Sequence, residues 1–127
     1  MAGEHLLDTN VLIYYTKGYT DIKSFVDNLI LQHSLNISIL TKIEFLGWDK
    51  HTPDGFEKCK RLIESANIYS VDESIADKAI DLKREKKIRL ADAVIAATAI
   101  LNNFTLATRN MDDFEMVEGL KVINPFK

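Results

Sequence analysis

Apolar positions along the chain follow two alternating periods. Short apolar runs predict five strands: His5-Leu6-Leu7-Asp8, Asn36-Ile37-Ser38-Ile39, and the segments 68–71, 105–108 and 120–123. Longer segments with apolar residues every three or four positions predict helices between them. These cover Asn10 to Thr16, Asp21 to His33 with Phe25, Val26, Leu29 and Ile30 on one face, and Thr41 to Trp48. Another runs from Asp54 to Ala66 with Phe56, Cys59, Leu62 and Ile63 inward. Asp72 is the expected N-cap of the next, which carries Ile75, Ala76, Ala79, Ile80 and Leu82 and runs to Lys86. The stretch from Leu90 to Asn102 is almost entirely small or apolar, the mark of a central, buried helix. Strands and helices in alternation predict an α/β fold, a parallel sheet with helices on both faces. In such sheets the ligand crevice lies beyond the carboxyl ends of the strands, so the residues there come first.

Asp8 ends the first strand, in Leu6-Leu7-Asp8-Thr9-Asn10. Asp, Thr and Asn also suit a helix cap or a turn, so Asp8 alone decides nothing. Glu44 stands three residues after Thr41, just past the second strand. Taken alone, Thr-x-x-Glu reads first as a capping box; a carboxylate aimed into the crevice from the same helix start is the competing reading, and both can hold in part. Asp92 is the hardest to explain structurally. The helix macrodipole favours an anion in the first turn by only about 0.3–1 kcal/mol. Burying an unpaired charge costs several kcal/mol, so Asp92 must reach solvent or meet a cation. After the fourth strand, Thr108-Arg109-Asn110-Met111-Asp112-Asp113-Phe114 adds two carboxylates at the same end of the sheet, with a plain surface turn the simpler reading for Asp112.

Carboxylates gathered from separate elements suit hard divalent cations, Mg²⁺ or Mn²⁺, which take oxygen ligands and can activate water at a phosphodiester. No Cys and His spacing suggests zinc. His5, His33 and His51 are scattered, and His5 reads as a packed strand residue rather than a ligand. No glycine-rich phosphate loop or nucleophile elbow is present.

Four motifs stand in order across most of the chain: Leu-Leu-Asp-Thr-Asn-Val-Leu-Ile from Leu6, Thr-x-x-Glu at Thr41, Leu-Ala-Asp-Ala-Val-Ile-Ala-Ala-Thr-Ala from Leu90, and Ala-Thr-Arg-Asn-x-x-Asp-Phe ending at Phe114. Together they resemble the PIN domain, and within it the VapC toxins of bacterial toxin–antitoxin modules. The resemblance implies a Rossmann-like, three-layer α/β/α fold with a five-stranded parallel sheet. It implies Mg²⁺- or Mn²⁺-dependent endoribonuclease cleavage of single-stranded RNA segments, often in tRNA or ribosomal RNA. It places the catalytic and metal-binding acids at Asp8, Glu44, Asp92 and, through the Asn-x-x-Asp-Phe frame, Asp113, with Asp112 one position early. Thr9 and Asn10 match the polar residues of the first motif, and Thr108 a hydroxyl near the site. Homodimers and a cognate antitoxin that presents a basic residue to the acids are the partners it implies.

Length and composition agree. The 127 residues fit one domain, 1–127, and 46% hydrophobic with 28% charged residues is an ordinary globular balance. No apolar run approaches the roughly 18 residues a membrane span needs, so no membrane partner is expected. No secretory signal is recognisable, and the single Cys59 excludes an internal disulfide framework, which makes a reducing cytoplasm the expected compartment. A net charge of −3 argues against a nucleic-acid partner unless the acids are concentrated in one site.

For RNA contact, the basic run from Lys83 to Arg89 precedes Asp92, and Lys86, Lys87 and Arg89 are its candidates. A solvated helix end is the competing reading. Tyr14, Tyr15 and Trp48 could stack on bases or line a subunit interface, with core packing expected at least for Trp48. A catalytically silent PIN-like binding module would lack one of the acids. A phospho-receiver domain would need an acidic pair after the first strand and a lysine after the fifth. A haloacid-dehalogenase-type phosphatase would need a second Asp where Asn10 stands. None of these conditions is met.

Overall fold

The structure, a computed structural model, describes residues 4–126. Five strands are present: β1 (His5–Leu7), β2 (Asn36–Ser38), β3 (Asn67–Tyr69), β4 (Thr105–Ala107) and β5 (Lys121–Ile123). All pair in parallel in the order β3-β2-β1-β4-β5. Six helices connect them: α1 (Thr9–Thr16), α2 (Thr20–Leu31), α3 (Ile39–Leu46), α4 (Pro53–Glu64), α5 (Glu73–Glu85) and α6 (Leu90–Leu101). A 3₁₀ turn, Met111–Asp113, lies between β4 and β5. This is the parallel α/β arrangement expected from the alternation, and the Rossmann-like five-stranded sheet that the resemblance implied.

The sheet separates two cores, as the period-2 geometry of a strand requires. Leu6 and Leu7, adjacent on β1 and fully buried, join opposite ones. Leu6 packs with α5, α6, Phe104, Leu106 and Phe114. Leu7 packs with Val11, Leu12, Ile22, Val26, Leu29 and Ile37. Helix α6 is buried without a break from Asp92 to Ala99, which makes it the central helix that its composition predicted.

Buried polar groups fix the strand pairing. Asn36, fully buried on β2, donates from Nδ2 to the His5 carbonyl (3.0 Å), and its Oδ1 accepts from Asn67 Nδ2 (2.9 Å). A slip by one residue would leave these groups unpaired, at about 1–3 kcal/mol each.

Two expectations are corrected. Helix α3 begins at Ile39, not Thr41, because Ser38 is its N-cap: Ser38 Oγ accepts from the Leu40 N–H (3.1 Å). Trp48 is not core. It is 54% exposed beyond the end of α3, with its ring edge-on to His51 at 5.1 Å. The Asp72 cap is present as expected, accepting from the Ile75 N–H (2.9 Å). His5 is half-buried and packs edge-on against Phe25 (5.3 Å), and burial lowers its pKa.

Candidate active site

Strand order 3-2-1-4-5 places a topological switch point between β1 and β4, where successive connections leave in opposite directions. Asp8 follows β1 and Thr108 follows β4. Thr108 Oγ1 donates to Asp8 Oδ2 across that point (2.9 Å). The same carboxylate oxygen accepts from Asn10 Nδ2 (3.1 Å), while Asp8 Oδ1 accepts from the Thr9 N–H (2.8 Å). Asp8 is therefore both helix cap and oriented carboxylate. The two readings of the sequence do not compete.

Thr9 ties a second acid to the first. Its Oγ1 donates to Glu44 Oε1 (2.7 Å). With α3 starting at Ile39, Glu44 lies in the helix's second turn, beyond the reach of a capping box. The Thr41-x-x-Glu44 box is thus excluded, and Glu44 bonds α1 instead of its own helix start. Thr41 Oγ1 is buried without a partner.

Asp92, in the first turn of α6 and only 6% exposed, meets a cation as its burial required. The cation is Arg89, whose Nε donates to Asp92 Oδ2 (3.1 Å). The guanidinium also feels the charges of Asp113 and Glu44, which with Asp92 raise its pKa. Asp8 has a pKa above the ordinary carboxyl value. Burial is the main cause, the bonds from Thr108 and Thr9 oppose it, and the charges of Asp92 and Glu44 add to it. Asp8 thus feels the charges of Glu44 and Asp92, and Arg89 those of Asp92, Asp113 and Glu44.

A cleft of about 460 Å³ opens at Asp92 and Asp113, walled also by Lys87, Arg89, Asn110 and Asp112; Asp8 and Glu44 are not in its lining. Both candidate fourth acids are exposed and line it; Asp113 is the one whose charge reaches Arg89. Lys86 and Lys87 follow the end of α5, and Lys83 Nζ donates to the Ile88 carbonyl (2.8 Å), which folds the α5–α6 turn back on the helix.

Among the described residues, no group of three or more Asp, Glu, His or Cys side chains is arranged so that it could hold a metal ion. The acids nearest one another are carboxylates, Asp8 and Glu44 both bonded to Thr9 and Asp92 bonded to Arg89. Such a set fits a hard cation that keeps several of its waters, and does not fit zinc.

Sequence reasoning missed Ser38, whose capping sets the start of α3, and the pairing of Arg89 with Asp92. The i, i+3 spacing of Arg89 and Asp92 was the available signal for the latter. It also missed that the Asn110 N–H donates to Thr108 Oγ1 (3.0 Å), which turns the hydroxyl proton toward Asp8. Arg109 lies over the Tyr14 ring, 4.5 Å from its centroid. The Tyr15 hydroxyl donates to Asp27.

Residues 5–120 match the sequence profile of the PIN domain. This chain belongs to the PIN-domain family. Among curated relatives, it is 32% identical to Ribonuclease VapC10 of Mycobacterium tuberculosis (strain H37Rv), over 91% of this chain and 90% of that protein. Among solved structures, a toxin–antitoxin complex from Klebsiella pneumoniae contains a chain that superposes with a TM-score of 0.81 at 29% identity, covering 98% of this PIN domain and 99% of that chain. VapBC2 from Rickettsia felis, bound to a DNA fragment from its promoter, gives a TM-score of 0.82 at 22% identity, over 94% and 97%. That likeness shows the fold alone. No helix of the described residues is long and apolar enough to cross a membrane.

Proposed function

We propose that this PIN domain, a single domain spanning 1–127, is a cytoplasmic endoribonuclease that hydrolyses phosphodiester bonds in single-stranded segments of tRNA or ribosomal RNA. It is the toxin of a toxin–antitoxin pair and inhibits translation. One observation carries the reading most: Asp8 and Glu44, from separate elements, are joined through Thr9 and share an electrostatic site with Asp92. A structural role for any one of these acids would not call for the other two.

Asp8, Glu44 and Asp92 would hold Mg²⁺ or Mn²⁺, with Asp113 as the fourth acid. When bound, such an ion supplies positive charge for the scissile phosphate and lowers the pKa of a water nucleophile. The chain's own residues prepare the site. Thr108 and Asn10 orient the Asp8 carboxylate, and Thr9 holds Glu44 beside it. Arg89 balances the Asp92 charge and, with Lys86 and Lys87, grips the RNA backbone. A homodimer and a cognate antitoxin are the proposed partners; the likeness to a chain of the Klebsiella complex supports the antitoxin.

The decisive experiment follows cleavage of single-stranded RNA in Mg²⁺ by Asp8→Asn and Asp92→Asn. Each is expected to lose at least about a hundredfold in rate, the order of effect of removing a key electrostatic group, with a cooperative unfolding transition retained. Wild-type cleavage by Asp92→Asn would place the chemistry elsewhere. RNA binding without cleavage by the wild-type protein would favour a silent binding module.

A further inference from the structure

The bonds that orient Asp8 also position an arginine outside the acidic cluster. Arg109 follows Thr108, and its backbone N–H donates to Asn10 Oδ1 (3.1 Å), the far end of the amide that holds Asp8. Its guanidinium lies 4.5 Å from the centre of the Tyr14 ring and 5.2 Å from that of Phe126. The two rings meet edge-on at 5.4 Å. A guanidinium held against aromatic rings loses little hydrogen-bonding capacity, because its N–H groups point outward in the plane of the group. Arg109 is exposed, and the ion pairs among the described residues, Lys23–Asp27 and Arg89–Asp92, do not include it. It is a located charge whose donors are not taken by a carboxylate.

Its place on the surface gives that charge a use. Three clefts adjoin in series. The first lies at the α5–α6 turn, between Lys83, Lys86 and Arg89. The second shares Lys87 and Arg89 with the first and contains Asp92 and Asp113. The third shares Asn110 and Asp113 with the second and ends on Arg109 and Asn124. Their linings overlap, with cations at both ends of the series and the carboxylates of Asp92, Asp112 and Asp113 between them. A polyanion cut at the carboxylates is repelled there and needs anchoring on either side.

We propose that Arg109, supported by Tyr14 and Phe126, is a phosphate-binding subsite for the RNA strand, on the opposite side of the scissile bond from Lys86 and Lys87. This rests on the nuclease reading above. Asn10 gives the subsite a fixed relation to the reacting centre, since one side chain bonds both Asp8 and the Arg109 backbone.

The test uses the full chain in EDTA, so that RNA is bound and not cut. Binding of a short, fluorescently labelled single-stranded RNA of mixed sequence is followed by anisotropy over a series of KCl concentrations. Arg109→Gln is expected to bind about tenfold more weakly, the loss of one charge-assisted contact. The slope of log K against log salt should fall in magnitude by about 0.7, the value for one phosphate of a single strand. Arg109→Lys should keep the slope and lose part of the affinity. Wild-type affinity and slope in Arg109→Gln would overturn the subsite. Should Arg109→Gln fail to fold, Phe126→Leu decides, since it keeps the charge and removes one supporting ring. A loss of about threefold at unchanged slope supports the proposal, and wild-type affinity overturns it. The two readings fail differently. A wild-type protein that binds RNA without cutting it in Mg²⁺ removes the nuclease and leaves the subsite. One that cuts RNA while Arg109→Gln binds like wild type removes the subsite alone.

Discussion

Asp8 shows how one carboxylate is held between conflicting demands. Burial and the charges of Asp92 and Glu44 favour its neutral form; the bonds from Thr108 and Thr9 favour the ion. The outcome is a raised pKa. In the metal-free protein the fold therefore prefers protonated Asp8. That stability is fully present below the ordinary Asp pKa and is lost as pH rises through the raised value. Thr108→Val removes a donor to the charged form at little cost in volume. The acidic limb of the kcat/KM profile should move to higher pH, and the variant's stability deficit against wild type should be larger at pH 7 than at pH 4. A pH–rate profile and denaturation at the two pH values measure these. Asp92 was legible as an anomaly because a charge in so apolar a helix needs a partner. Which partner it had was not, since the reach and rotamer of Arg89 depend on the turn that precedes α6.

At the scale of elements, the position of Glu44 depends on where α3 starts. Ser38 ends β2 and caps α3 at once, so strand and helix join without a loop. The sequence pattern placed the start at Thr41 and left Ser38 within the strand, although both carry a hydroxyl suited to an N-cap. The choice was made by the sheet. Ser38 ends the strand at a fully buried position, from which the helix must leave at once. Ser38→Ala should cost about 1 kcal/mol, the usual loss for an N-cap, read from the urea midpoint at unchanged m-value. Because Glu44 is held from α1 rather than by its own helix start, activity should fall further in Thr9→Val than in Ser38→Ala. Comparison of kcat for the two variants on one RNA substrate checks this. Trp48 failed as a core prediction for a related reason. α3 ends at Leu46, so the helical periodicity that would have carried Trp48 inward stops short of it.

For the whole molecule, the site exists because five strands bring distant segments to one edge. Asp8 and Thr108 are a hundred residues apart along the chain and share a hydrogen bond. Carboxylates held together without a metal destabilise the fold, and a bound cation relieves them. Added Mn²⁺ should therefore raise the melting temperature of EDTA-treated protein. At ten times the dissociation constant the gain is about 1.4 kcal/mol from linkage alone. Asp92→Asn should lose most of that gain while melting cooperatively. An equal Mn²⁺ response in the variant would show that the ion binds elsewhere.

By itself the sequence determined the element order, the central place of α6 and the ranking of Asp8 and Asp92 as residues in need of explanation. These follow from local periodicity and from the cost of burying charge, both of which act over a few residues. Tertiary structure decided the rest: that Ser38 and not Thr41 caps α3, that Arg89 balances Asp92, that Thr9 bridges Asp8 and Glu44, and that Arg109 rests on Tyr14 and Phe126. Thr9 with Glu44, and Arg109 with Tyr14 and Phe126, join segments that no short window contains; the Ser38 cap and the Arg89–Asp92 pair lie within a few residues, but where the strand ends and how the turn before α6 runs decided which of the local options formed.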